Sequence, residues 1–169
     1  MARVPAYILA GGESSRFGSD KAMFAVNGVP LWQRVATALE NAGFAVHLVG
    51  RSVRGVSIPE LIEPEGPRHP LWGALHAIRH ANTLGERSLF VAPCDLVDLD
   101  ASAAKALLAG GRTRVYAKGQ PLLASLTVDQ EEWALHCVNE EESVQHFHDM
   151  CGNEEVNIGP LRNLNERPG

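Results

Sequence analysis

The sequence predicts a single α/β domain, a mostly parallel sheet with helices on both faces. Three observations predict it. Strand-like apolar runs alternate with helix-like segments, the pattern that builds parallel sheets through crossover helices. The first run, Val4 to Ala10, is almost continuously apolar, as a strand buried on both faces must be. The 169 residues suffice for one domain with a substantial core, and no repeat, linker or low-complexity segment divides them, so 1–169 reads as one unit. Right-handed crossovers follow, and ligands of such sheets sit beyond the carboxyl ends of the strands.

The elements run in order. After the first strand comes a glycine-rich loop, then Asn27-Gly28, a turn signal. Pro30 suits the first turn of a helix in which Leu31, Val35, Ala38 and Leu39 recur at helical spacing, with Gly43 as its stop. Phe44 to Val49 reads as a second strand, Arg51 to Pro59 as irregular, and Leu61-Ile62 as a short strand. The loop from Glu63 to Pro70 leads to a helix marked by Leu71, Leu75 and Ile78. Ser88 to Ala92 is a strand ending at Pro93-Cys94-Asp95. Asp98 or Asp100 can cap a helix over 101–108 that stops at Gly110-Gly111. Arg114 to Ala117 and Leu122 to Val128 read as strands around a turn at 118–121. Helices over 131–138 and 142–150 follow, Gly152 ending the second, and the tail contains Val156-Asn157-Ile158 and Asn163-Leu164-Asn165.

The stretch Leu9-Ala10-Gly11-Gly12-Glu13-Ser14-Ser15-Arg16-Phe17-Gly18-Ser19-Asp20-Lys21 carries the chemistry. Glycines let backbone N–H groups approach a ligand closely, and consecutive N–H groups in such a turn form a concave anion site. Arg16 adds a forked cation and Lys21 a point charge. A strand followed by such a loop suits a polyphosphate. The spacing fits neither the G-x-G-x-x-G dinucleotide pattern nor the P-loop, in which the second glycine is followed directly by Lys.

Composition sets the surroundings. A net charge of −5 gives no bulk attraction to nucleic acid or an anionic membrane, so a polyanionic substrate must be met locally, as the first loop does. Cys94, Cys137 and Cys151 are odd in number and form no C-x-x-C pair, which points to a reducing, cytoplasmic setting. No signal peptide is expected, and no apolar stretch approaches membrane-spanning length.

The motif L-A-G-G-x-S-x-R-[MF]-G-x-D-K, continued by Ala22 to Leu31, resembles the signature of the nucleotidyltransferases. The short chain and the Asp20-Lys21 ending look most like molybdenum cofactor guanylyltransferases. The resemblance covers most of the chain, with its specific motifs in the first forty residues. It implies a three-layer Rossmann-like sandwich of the nucleotide-diphospho-sugar transferase type. It also implies transfer of GMP from GTP to the phosphate of molybdenum-loaded molybdopterin, releasing pyrophosphate, with molybdoenzymes or their chaperones as possible partners. On it, Leu9, Ala10, Gly11, Gly12, Ser14, Arg16 and Lys21 bind the nucleotide, Arg16 and Lys21 also serving catalysis.

Asp95 supplies the second centre of charge. It stands just past a buried strand, where the family often reads C-D-x-P-x-[LI]; Val97 replaces the proline. Triphosphate chemistry calls for Mg²⁺ held by one or two carboxylates and substrate oxygens, so Asp95 is expected to be a metal ligand and catalytic. Asp98 is either a second metal contact or, preferably, a helix cap. The attacking phosphate oxygen is already anionic and needs no general base; alignment and charge stabilisation are the task.

Weaker signals complete the site. Pro70, Leu71 and Gly73 match the family's G-P-L-x-G-[IL], a segment that borders the nucleotide in that family, with His69 in place of glycine, and the same residues also read as a helix start. Glu63 lies near a family acid that accepts from guanine N1–H and N2–H₂. Asn163 and Asn165 resemble a family N-[VI]-N segment on the product side, with Asn157 a rival match. Gln120-Pro121-Leu122 borders the pterin by family position. His136, His146 and His148 read as surface or partly buried residues, Trp32, Trp72 and Trp133 as core, and Arg51 and Arg54 as a solvated loop. Alternatives are cytidylyl or sugar-phosphate transfer by the same chemistry, or a nucleotide-binding module without turnover.

Overall fold

The computed structural model describes residues 3–10, 21–50 and 56–164. The strands are β1 (Pro5–Leu9), β2 (Ala25–Val26), β3 (Val29–Pro30), β4 (Ala45–Gly50), β5 (Glu60–Ile62), β6 (Ser88–Pro93), β7 (Val115–Ala117), β8 (Gln120–Thr127) and β9 (Glu154–Val156). The α-helices are α1 (Leu31–Asn41), α2 (Pro70–Thr83), α3 (Ala101–Leu107), α4 (Glu131–Asn139) and α5 (Val144–Cys151).

Seven strands form one sheet in the order β5-β4-β1-β6-β8-β7-β9. β1 pairs in parallel with β4 and β6, β4 with β5, and β7 with β9, while β8 runs against both its neighbours. Alternation along the central strands feeds two apolar layers. Ala6, Ile8, Phe90 and Ala92 join Leu39, Val35 and Leu107 of α1 and α3 on one face. Tyr7, Leu89 and Val91 join Leu75, Ile78, Ala134 and Phe147 of α2, α4 and α5 on the other. Burial on both faces explains why β1 and β6 are apolar throughout, and the three-layer α/β architecture expected from the sequence is present.

Asn27 and Gly28, both at positive φ (53° and 78°), close the β2–β3 hairpin as the turn signal predicts. Pro30 ends β3 and serves as N-cap of α1 rather than lying inside the helix. Gly152, at φ 66°, ends α5. Gln120 and Pro121, expected in a turn, belong to β8, because the hairpin closes at Lys118-Gly119. Strand β9 was not expected: its three residues are paired only through the distant β7. Trp32 is buried as predicted, whereas Trp133 is 45% exposed on α4. His148 is 1% exposed, correcting its reading as a surface or partly buried residue. Among the described residues no helix is long and apolar enough to cross a membrane.

Candidate active site

β1 and β6 are parallel neighbours, so their carboxyl ends open on one edge of the sheet. Leu9 lies opposite Pro93, and its carbonyl accepts the Cys94 N–H at 3.3 Å. The Ala10 N–H donates to the Val49 carbonyl at 2.8 Å, fixing the point where the chain leaves the sheet. Gly11, Gly12, Ser14, Arg16, Arg51, Arg54 and Asn165 lie outside the described residues.

Lys21 opens a short 3₁₀ turn, Lys21–Met23, anchored by the fully buried Ala22. Its Nζ donates to Asp95 Oδ2 at 2.8 Å. Asp95 in turn is bracketed by buried Cys94 and Leu96, which root the turn in the core and leave the carboxylate 13% exposed. Lys21 and Asp95 thus meet across 74 residues of sequence.

The tail supplies the third member. Asn163 Nδ2 donates to Asp95 Oδ1 at 2.9 Å, and the Leu164 N–H donates to the Asp95 carbonyl at 2.9 Å. Asn163 also pairs with Leu96 in an antiparallel bridge, and the Val97 N–H donates to the Arg162 carbonyl at 3.1 Å. Among the described residues the rival Asn157 side chain accepts the Gly159 N–H at 3.0 Å, in a local turn. Gln120 Nε2 donates to both Asn163 Oδ1 and the Leu161 carbonyl.

Asp98 is not the helix cap. Asp100 Oδ1 accepts the Ala103 N–H at 2.8 Å and caps α3. Asp98 instead takes the Arg162 guanidinium in a two-pronged pair, both bonds 2.8 Å. These bonds, with the charge of Arg34 nearby, hold its carboxyl below the ordinary carboxylate range. The reason is local geometry: Asp100 has the extended backbone an N-cap needs, and Asp98 faces the tail.

A second group gathers beside β1. The Glu63 N–H donates to the Gly50 carbonyl at 3.0 Å, just past β5. A Cβ at Gly73 would lie 3.3 Å from Glu63 Oε2 and 3.4 Å from Leu9 Cδ2, so Leu9, Glu63 and Gly73 converge. Pro70 opens α2 at the position where a missing N–H costs nothing. His69 caps that helix: Nδ1 accepts the Leu71 N–H at 3.0 Å and Nε2–H donates to the Glu142 carbonyl at 2.6 Å. An accepting Nδ1 and a donating Nε2–H are the two ends of the Nε2–H tautomer. Trp72 Nε1 donates to the Pro64 carbonyl at 3.0 Å, and a Cβ at Gly66 would fall 2.2 Å from its ring. Trp72 therefore holds the 63–69 loop and is only partly buried.

The Lys21 ammonium shows that Asp95 Oδ2 presents a cation position. Among the described residues no three His, Cys, Asp or Glu side chains gather as a metal cluster. One carboxylate fits an ion that draws its remaining oxygens from substrate phosphates and water, the habit of Mg²⁺. Sequence reasoning missed three residues here: Gln120 as a partner of Asn163, Arg162 as the clamp on Asp98, and His69 as a cap. The first two act across 43 and 64 residues, and no local pattern announces such pairs.

Comparison with known proteins gives this geometry its setting. A molybdenum cofactor guanylyltransferase of Xanthomonas euvesicatoria pv. vesicatoria (strain 85-10) is 36% identical over 112 residues, 65% of this chain and 56% of that protein. The chain spans about half the length of the curated relatives it matches. Among solved structures, a protein of Aquifex aeolicus VF5 superposes with a TM-score of 0.78 at 22% identity, over 96% of this chain and 94% of that one. Molybdopterin-guanine dinucleotide biosynthesis protein A of Archaeoglobus fulgidus gives a TM-score of 0.69 at 17% identity, over 92% and 84%. At these identities the two structures share the fold. The MobA-like NTP transferase domain matches residues 6–144, from β1 through Asp95 to the first turn of α5. That match takes in both strand ends that frame the charged site, and the chain belongs to the MobA-like NTP transferase family.

Proposed function

We propose that this protein transfers GMP from GTP to the phosphate of molybdenum-loaded molybdopterin, with release of pyrophosphate. The observation that carries this reading is the meeting of Asp95 and Asn163 with Lys21, the last residue of the stretch whose sequence matches the nucleotidyltransferase signature. Family membership and the guanylyltransferase relative support it.

An acceptor phosphate oxygen attacks the α-phosphorus of GTP in line, one P–O bond forms, and pyrophosphate leaves. The acceptor is already anionic, so no residue need remove a proton; the difficulty is bringing two anions together. Lys21 meets this difficulty. Its ammonium rests on Asp95 at 2.8 Å, and a triphosphate in the loop offers it a stronger anion; moving across frees Asp95 Oδ2. Mg²⁺, when bound at Asp95, supplies charge to the phosphate oxygens as a Lewis acid. Arg16 and the N–H groups of Gly11 and Gly12, with Ser14, would complete the anion cradle.

The base is read at the second group. Gly73 leaves the space beside the Glu63 carboxylate that a side chain would fill. A carboxylate there accepts guanine N1–H and N2–H₂ together, while adenine offers an acceptor at N1 and no N2 donor. An unpaired carboxylate facing the wrong base costs on the order of 1–3 kcal/mol, a factor of ten or more. Three buried cysteines, none in a disulfide among the described residues, suit a reducing cytoplasm, and molybdoenzymes or their chaperones would take the product.

The test is pyrophosphate release with molybdopterin as acceptor, run separately with GTP, CTP and ATP. Turnover with GTP at least tenfold above the others is expected. Equal turnover with CTP overturns the guanine assignment and leaves the transfer chemistry. Nucleotide binding with no release from any triphosphate overturns the enzymatic reading.

A further inference from the structure

We propose that Gln120 is a positioning residue for the transfer reaction: it fixes which way the Asn163 amide faces, and so holds Asp95 in its working orientation. The inference rests on the guanylyl-transfer reading above and adds to it a residue outside the signature motif. The argument is one of hydrogen-bond polarity. Both partners of the Gln120 amide nitrogen are acceptors: the Leu161 carbonyl at 3.1 Å and the side-chain oxygen of Asn163. A carbonyl can only accept, so this end of Gln120 is its NH₂ group. The Asn163 oxygen is thereby committed to Gln120, and the Asn163 NH₂ must turn to Asp95 Oδ1, where it donates at 2.9 Å. With Oδ1 held by an amide, Oδ2 faces Lys21.

Gln120 is itself rigidly placed. It opens β8 beside Pro121, whose carbonyl accepts from Nε2–H of the buried His148 at 2.7 Å. The tail packs on the core through the partly buried Ile158 and Leu161, and beside Asp95 it is fixed by hydrogen bonds: the Val97–Arg162 and Leu164–Asp95 backbone bonds, the Leu96–Asn163 bridge and the exposed Asp98–Arg162 pair. A side chain on a strand of the sheet therefore orients a side chain on the tail. Misorienting a catalytic group by about 1 Å costs about 10²-fold in rate, so an orienter that acts through Asn163 matters to turnover.

The test uses the full chain with Gln120→Leu, Gln120→Glu, Asn163→Ala and the double variant Gln120→Leu/Asn163→Ala. Gln120→Glu keeps shape but can only accept, so it draws the Asn163 NH₂ to itself and turns the Asn163 oxygen on the Asp95 carboxylate. We expect kcat to fall about tenfold in Gln120→Leu and about 100-fold in Gln120→Glu, with the GTP KM changed less than about threefold. A role in packing alone gives the opposite order, since glutamate preserves the shape and leucine does not. The double variant should lie within about twofold of Asn163→Ala, because Gln120 acts through that residue. An unchanged kcat in both Gln120 variants, a milder effect of glutamate, or additive losses would overturn the proposal while leaving guanylyl transfer intact. A second readout needs no turnover: the side-chain amide protons of Asn163 in the ¹H–¹⁵N NMR spectrum. The proton bonded to Asp95 should move toward its solvent-exposed position in Gln120→Glu. If the wild type releases no pyrophosphate, the guanylyl reading fails and this resonance decides alone: displacement supports the role of Gln120, and an unmoved resonance overturns it. Should Gln120→Leu fail to fold, the isosteric glutamate carries both readouts.

Discussion

Two corners of this molecule use the same device to opposite ends. In each, a glutamine amide donates to an asparagine oxygen and the asparagine NH₂ donates to an ionisable group. Gln120 and Asn163 do so for Asp95, and Gln130 and Asn153 for His148. The Asp95 corner is charged and open: the carboxylate meets Lys21, and the two side chains are 13% and 21% exposed. The His148 corner is neutral and closed. His148 is 1% exposed, stacks on Tyr116 with ring centres 4.0 Å apart, and donates Nε2–H to the Pro121 carbonyl, so its Nδ1 must accept from Asn153. Gln130 is fully buried and also accepts the Thr127 N–H at 2.9 Å. An amide relay that reaches water poises a charge for a ligand. One that is sealed satisfies a buried ring and stabilises the fold.

Breaking the open corner should cost activity and spare stability. Asp95→Ala has the largest expected effect: loss of at least about 10³-fold in pyrophosphate release, the upper range for one electrostatic group, with GTP binding still measurable by calorimetry. Retained turnover in that variant would exclude Asp95 from the chemistry. Lys21→Ala should lose roughly 10²–10³-fold in kcat/KM. Its melting temperature should stay near that of the wild type, since a partly exposed loop lysine contributes little to the core.

Breaking the closed corner should do the reverse. His148→Leu strands the Pro121 carbonyl and the Asn153 amide, at about 1–3 kcal/mol each, and urea titration should show a loss of about 2–6 kcal/mol. Turnover per folded molecule should fall far less than in Lys21→Ala. A pH series sharpens the contrast. Burial holds the His148 pKa below its ordinary value of 6.5, so below that pH the unfolded chain binds the proton more readily than the folded one. Stability is therefore fully present above about pH 6.5 and declines below it, by up to about 1.4 kcal/mol per pH unit for this ring. Desolvation lowers the pKa values of His47 and His76 too, so some of this slope should survive in His148→Leu, with a smaller amplitude. An identical slope in both proteins would remove His148 from the account.

The smallest effect belongs to the rim of the open corner. Asp98→Asn removes the charge of a pair whose arginine is 78% exposed. Exposed pairs are worth about 0–1 kcal/mol, so stability should barely change. Any loss of turnover should be slight at low salt and vanish as salt screens the pair in the wild type.

Much of this protein was legible in its sequence because the relevant physics is local. Continuous apolar runs at β1 and β6 call for strands buried on both faces; Asn27-Gly28 calls for a hairpin turn; Gly152 calls for a helix end. Asp95, Lys21 and Glu63 could be singled out because their neighbours in sequence form recognisable patterns at strand ends. Tertiary structure alone decided what those residues touch. It chose Asn163 over Asn157, gave Asp98 to Arg162 and the α3 cap to Asp100, seated Glu63 against Gly73, and turned Gln120 from a turn residue into the partner of Asn163. It also created β9, a strand whose three residues carry no pattern of their own and pair only because β7 lies beside them. The physical reason is common to all of these. Secondary structure follows from the spacing of side chains a few residues apart, whereas a hydrogen bond between residues 43 to 74 apart exists only after the sheet has brought them together.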